Sequence, residues 1–198
     1  WGAASAVLLW TLWYGWYTNG GDISYGRLNK IPFEEIKWYH AMAPGILLIL
    51  TRIGVPVSTS FLVLSAFAST FVLEKMLMKS MMGYAVAAVA AYAIWIVVSK
   101  ILDEAKPVKE EHKSYWRVGQ WVTTGFLWFT WLSHDMANIA VFLPREIPYD
   151  LMIMISVVFI AGLAYMFREG GGKIQKIVLE KHNTRYVRSA TIIDGVYF

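Results

Sequence analysis

Two stretches without a single charge constrain this chain more than anything else in it: residues 53–73 and 80–99. A helix rises about 1.5 Å per residue, so runs of about 20 apolar residues match the ~30 Å hydrocarbon core of a bilayer. The rest of the composition agrees with this. Of 198 residues, 57% are hydrophobic and only 16% charged, with 18 basic and 14 acidic side chains. Mean hydropathy is +0.46. A soluble domain carries about 45–50% apolar and about 25% charged residues. These proportions exclude a soluble enzyme, a disordered tail and a nucleic-acid module. The net charge of +4 is read as loop topology rather than as a nucleic-acid footprint. Cysteine is absent, which removes disulfides, thiolate metal sites and cysteine nucleophiles.

The apolar runs predict an all-α, polytopic transmembrane bundle of about five to six hydrophobic segments. They lie at 1–17, 40–50, 58–73, 80–99, 118–143 and 151–167, with a broken or re-entrant helix at 52–60. Trp16, Tyr17, Trp38, Tyr39, Trp116 and Tyr149 stand at segment ends, as an interfacial aromatic belt does. Residues 18–37 read as a polar loop. Its turn signal is Asn19-Gly20-Gly21-Asp22, and Pro32 disfavours helix at Ile31. A short interfacial helix is expected at Phe33–Tyr39 and a turn at 74–79. Four regions follow: membrane segments at 1–99, a charged loop at 100–117, membrane segments at 118–167 and a basic segment at 168–198. Residues 168–188 hold six basic and two acidic side chains. That places them in the cytoplasm and the 74–79 and 144–150 turns outside. Residues 173–188 read either as a helix on the membrane surface or as a connecting loop.

Two places combine membrane depth with polarity. In Gly54-Val55-Pro56-Val57-Ser58-Thr59-Ser60, proline lacks an N–H and glycine permits unusual dihedrals. Ser58, Thr59 and Ser60 then stand where a new helix would begin. A helix N-terminus suits an anion, and broken helices at mid-bilayer recur in transporters. The alternative is a proline kink whose serines bond back to the previous turn. The second place is His134-Asp135-Met136-Ala137-Asn138. Asp135 lies inside the fifth segment, where a carboxylate costs a few kcal/mol and marks ion or proton pathways. Asp135 and Asn138 share one helix face. Their oxygens fit a hard cation such as Na⁺. The alternative is a segment ending near Ser133, with Asp135 at the interface.

These two motifs resemble the signatures of the inorganic phosphate transporter (PiT) family, G-x-P-V-S-T-T and G-x-N-D-V-A-N-A. The resemblance implies two inverted repeats, each with an Asp/Asn motif before a Pro-Ser-Thr motif. It also implies uptake of an inorganic oxyanion, phosphate first among them, coupled to Na⁺ or H⁺. Ser58, Thr59, Ser60, Asp135 and Asn138 would bind substrate, and Asp135 and Asn138 would couple the ion. His134 replaces the family's first Asn, Ser60 its second Thr, and Phe61 stands where a His follows. The Pro-Ser-Thr motif precedes the Asp/Asn motif here. That order implies the end of one repeat and the start of the next, in a protein extending beyond Trp1 and Phe198. The expectation is a divergent relative in the bacterial inner membrane, without catalytic residues, cofactor or metal, associating with lipid and as a homodimer or within a larger complex. The alternative is a non-transporting subunit of a larger membrane complex.

Overall fold

The computed structural model describes residues 1–55, 57–103, 113–169, 191–192 and 194–195. Among these, the regular structure is entirely helical. The helices are α1 (Gly2–Thr18), α2 (Met42–Ile53), α3 (Thr59–Leu64), α4 (Thr70–Asp103), α5 (Lys113–Ala140) and α6 (Tyr149–Arg168). Short 3₁₀ turns occupy Arg27–Lys30 and Trp38–Ala41.

Two described helices, α4 over Thr70–Val97 and α6, are long and apolar enough to cross a membrane. The other expected segments fall short of that measure for identifiable reasons. Helices α1, α2 and α3 have 17, 12 and 6 residues. Helix α5 has 28 residues, but Gln120, Thr123, Thr124, Ser133, His134, Asp135 and Asn138 dilute its apolar content.

The break between α2 and α3 is a full stop and restart. Gly54 sits in the left-handed region at φ 86°. Its amide donates to the Thr51 carbonyl, and the Val55 amide reaches back to Leu50 at 2.9 Å. This is the glycine-terminated helix end that satisfies otherwise orphaned carbonyls. Ser58 opens α3 by accepting the Phe61 amide on its hydroxyl at 3.3 Å, so it caps a new helix instead of bonding back along an old one.

The expected turn at 74–79 is absent, because α4 runs through it without interruption. Glu74, Lys75, Met76, Leu77, Met78 and Lys79 are all strong helix formers with no glycine or proline among them. The chain turns earlier, at 65–69, where Phe67 is buried and the Leu73 amide bonds the Ser69 carbonyl. The expected helix at Phe33–Tyr39 is likewise replaced by an irregular stretch followed by the 3₁₀ turn Trp38–Ala41. A segment that short does not nucleate helix alone, and Lys37 and His40 bond to each other instead. Residues 173–188, read as a surface helix or a connecting loop, lie outside the described residues.

The core sits at one end of the bundle. Leu8 and Leu12 of α1 meet Met136, Ala137 and Ala140 of α5, Met152 and Ile155 of α6, and Val63 and Leu64 of α3. The polar loop after α1 enters this core as a plug. Ile23, Leu28 and Ile31 are buried within it. Bonds from distant sequence hold it there. The Ile147 amide donates to the Gly21 carbonyl at 3.0 Å. Trp16 Nε1 donates to the Ile147 carbonyl at 2.7 Å, and Arg145 Nη2 to the Ile31 carbonyl at 2.9 Å. Gly21 has φ 97°, and a Cβ there would stand 3.2 Å from the Ile147 nitrogen. Glycine is required on both counts.

Tyr25 pins the loop to α1. Its hydroxyl donates to the Thr11 carbonyl at 2.5 Å, and its ring lies over Gly15, where a Cβ would come within 2.7 Å of Cε2. Gly15→Ala gains about 1 kcal/mol of helix propensity but forces overpacking that costs ~1–3 kcal/mol. The expected net effect is a loss of about 1 kcal/mol, measurable as a lower melting temperature. Burial, reinforced by Tyr14, pushes the Tyr25 phenol from 10.0 up to about 12. The folded state therefore favours the protonated phenol. That stabilisation is complete below pH 10 and fades as pH rises from 10 to 12. Melting curves should fall over this window, and Tyr25→Phe should remove part of the fall.

Candidate functional site

The two polar motifs lie on helices that pack together. Val63 and Leu64 of α3 share the core with Met136, Ala137 and Ala140 of α5. The break that frees α3 from α2 therefore delivers the Ser-Thr-Ser segment to the helix bearing Asp135 and Asn138. No hydrogen bond joins Ser58, Thr59 or Ser60 to Asp135 or Asn138 among the described residues. Ser58 is exposed and spends its acceptor on the Phe61 amide. Thr59 and Ser60 are half-buried. At six residues α3 has little axial dipole, so the hydroxyls rather than the helix end carry any anion affinity there.

Asp135 is exposed, whereas Asn138 is 6% exposed. The Asn138 Nδ2 donates to Asp135 Oδ1 at 3.4 Å, a long bond. The Asn138 Oδ1 atom is buried and has no hydrogen-bond partner among the described residues. A buried amide oxygen without a donor is costly. Beside a carboxylate, it is an oxygen ligand free to accept a cation or a proton-bearing group. Asp135 is the sole acidic residue of α5 and stands five residues before the helix ends at Ala140, about 7.5 Å of rise. It lies beneath the plug, not at the helix midpoint.

Sequence reasoning missed Arg27. From the first 3₁₀ turn, its Nη1 donates to the carbonyl of His134, the residue before Asp135, at 3.2 Å. Nothing local marks Arg27 for this role, since the contact spans 107 residues. The site thus places a cation, a carboxylate and an unpaired amide oxygen at one end of α5. Among the described residues no three histidine, aspartate or glutamate side chains converge as metal ligands. His40, the other histidine near the apolar segments, is packed into the core far along the chain from His134. No family model, no curated protein and no solved structure matches this chain.

Proposed function

We propose that this chain forms part of a secondary transporter resembling the inorganic phosphate transporter family, moving an inorganic oxyanion, phosphate foremost, together with Na⁺ or H⁺. The observation that carries this reading is the packing of the restarted helix α3 against the stretch of α5 where Asn138 keeps a buried, unpaired oxygen beside Asp135. A broken helix beside a membrane acid is the recurring arrangement for coupled ion and substrate sites. In this reading Asp135 and Asn138 receive the coupling ion, Ser58, Thr59 and Ser60 offer hydroxyls to the anion, and Arg27 adds a positive charge at the entrance. Helices α1, α2–α3 and α5 complete a polytopic bundle around α4 and α6 in a bacterial inner membrane. The protein works as a carrier, not as an enzyme, and needs no cofactor. Uptake of radiolabelled phosphate into proteoliposomes under an imposed Na⁺ or pH gradient tests it. Gradient-independent, background-level uptake would overturn it.

One observation favours a second reading, a non-transporting subunit of a larger membrane complex or a homodimer. Helix α4 meets the core through Val72 and Met76, but Met82, Tyr84, Val89, Tyr92 and Trp95 further along are exposed. Its 34 residues span about 51 Å, more than the ~30 Å hydrocarbon core needs. Photo-crosslinkers placed at Tyr84 and Tyr92 distinguish the readings. A stoichiometric protein adduct supports the subunit reading, and adducts to lipid alone oppose it.

A further inference from the structure

We propose that His40 is a protonation-controlled latch, which holds the second half of the plug loop against the bundle and lets it go when the imidazole takes up a proton. The argument starts from two ring nitrogens with different surroundings. His40 is 1% exposed. Its Nδ1 accepts the Lys37 backbone amide at 3.0 Å, and its own amide donates to the Lys37 carbonyl at 3.0 Å. An accepting Nδ1 carries no proton, so Nε2 carries the ring's one proton. That Nε2 is buried without a hydrogen-bond partner among the described residues, and the Glu34 carboxylate stands 3.8 Å away, beyond bonding distance.

The ring is also the loop's anchor on the bundle. It stacks on Phe67 with centroids 4.2 Å apart, and Phe67 in turn meets Phe142 edge-on at 5.0 Å. The 33–41 segment, the α3–α4 turn and the end of α5 are thus joined through one imidazole. A second proton has to go to Nδ1. There it meets the Lys37 N–H, donor against donor, and the side-chain bond that caps the 3₁₀ turn Trp38–Ala41 is lost. The imidazolium is then a buried charge between the Phe67 ring and the edge-on Tyr39 ring, with Glu34 half-exposed at the rim as its nearest counter-charge. The arrangement drives the ring outward, towards Glu34 and water, and vacates its place on Phe67.

Among the described residues, the charged and titratable groups around the latch are few. Glu34, Glu35, Lys37 and Tyr39 belong to its own segment. The α3–α4 turn presents Phe67, and α5's end presents Phe142. Arg52, the one charge on α2, lies in that helix's last turn, far from His40. Arg145 holds the loop through the Ile31 carbonyl, on the near side of Pro32. The pH response of this segment is therefore assigned to the His40–Glu34 pair. It stands independently of the transport reading.

The absence of cysteine gives a clean test. Ala43, three residues beyond His40 and 8% exposed, is replaced in Ala43→Cys. Its maleimide labelling rate is divided by that of an Ala87→Cys control at an exposed position on α4, which corrects for the general pH dependence of the maleimide reaction. Between pH 8 and pH 5, where imidazoles titrate, the ratio is expected to rise at least tenfold. Glu34→Gln removes the nearest carboxylate to the ring and should make the rise require a lower pH. His40→Phe keeps the stack without a titrating group and should hold the ratio low throughout. Hydrogen exchange of residues 37–43 in the unaltered protein gives the same reading should a variant fail to fold. A flat ratio and protection factors for residues 37–43 that do not change with pH in the native-histidine protein overturn the latch, as does a rise that persists in His40→Phe.

Discussion

Asp135→Asn is expected to lower ion-driven phosphate uptake at least a hundredfold while leaving the melting temperature of the purified protein nearly unchanged. The pairing of outcomes follows from where Asp135 stands. It is exposed, its one side-chain bond among the described residues is the long 3.4 Å contact from Asn138, and the adjacent core positions are Met136 and Ala137. Substitution of an exposed residue outside the packing changes stability by about 0.5 kcal/mol or less. Its charge, by contrast, has no substitute on α5. Asparagine keeps the size and the acceptor oxygen but loses the negative charge that would hold Na⁺ or a transferable proton. Asn138→Ala should behave differently. It removes a buried amide, so uptake falls and the protein also loses about 1–2 kcal/mol, partly offset because an unpaired buried oxygen goes with it. Ser58→Ala removes a helix cap worth ~0.5–2 kcal/mol together with one hydroxyl, and should weaken apparent phosphate affinity more than maximal rate. Wild-type uptake by Asp135→Asn would end the assignment of this site. A melting temperature that fell with activity would make Asp135 a structural residue instead.

The parts of this structure that were legible in the sequence are those written in local chemistry. Apolar runs marked α1 and α6 to within about two residues and α5 to within about five, because burial or lipid contact selects apolar side chains. The break at Gly54–Ser58 was legible for the same reason: a left-handed glycine, a following proline and a capping serine each act within one turn. The candidate pair Asp135–Asn138 followed from spacing alone. Charge was a poorer guide. Glu74-Lys75 and Lys79 look like the edge of a membrane segment, yet charged residues with long stems are good helix formers, and α4 continues through them. The least legible feature was the plug. Residues 18–37 are polar enough to read as a surface loop, and the bonds that bury part of them join Trp16 to Ile147, Arg27 to His134 and Arg145 to Ile31. Contacts across more than 100 residues leave no periodicity for a sequence pattern to show. Arg27 was missed with them.

The plug yields the largest expected effect on stability. Ile23 is 0% exposed and belongs to the same core as Leu12 and Met152, although it lies one residue after the Asn19-Gly20-Gly21-Asp22 turn. Around it the backbone is fixed. Asp22 accepts both the amide and the hydroxyl of Ser24 at 2.7 Å, so the loop cannot easily collapse into a hole left by a smaller side chain. Ile23→Ala is therefore expected to cost ~2–4 kcal/mol, the range for a buried isoleucine whose site relaxes little. Ile23→Asp should prevent folding, since it buries a charge among apolar core side chains at a cost of several kcal/mol. An ordinary surface loop would tolerate either change. The contrast is Val89→Ala on α4, an exposed apolar position that loses no packing within the chain and should shift the melting temperature in micelles by no more than a degree or two. If Ile23→Ala melted with Val89→Ala, the loop would be a surface feature, and the burial of Leu28 and Ile31 beside it would lose its meaning. A large loss at Ile23 with none at Val89 would locate the folding core at the plugged end of the bundle, directly above the helix that carries Asp135.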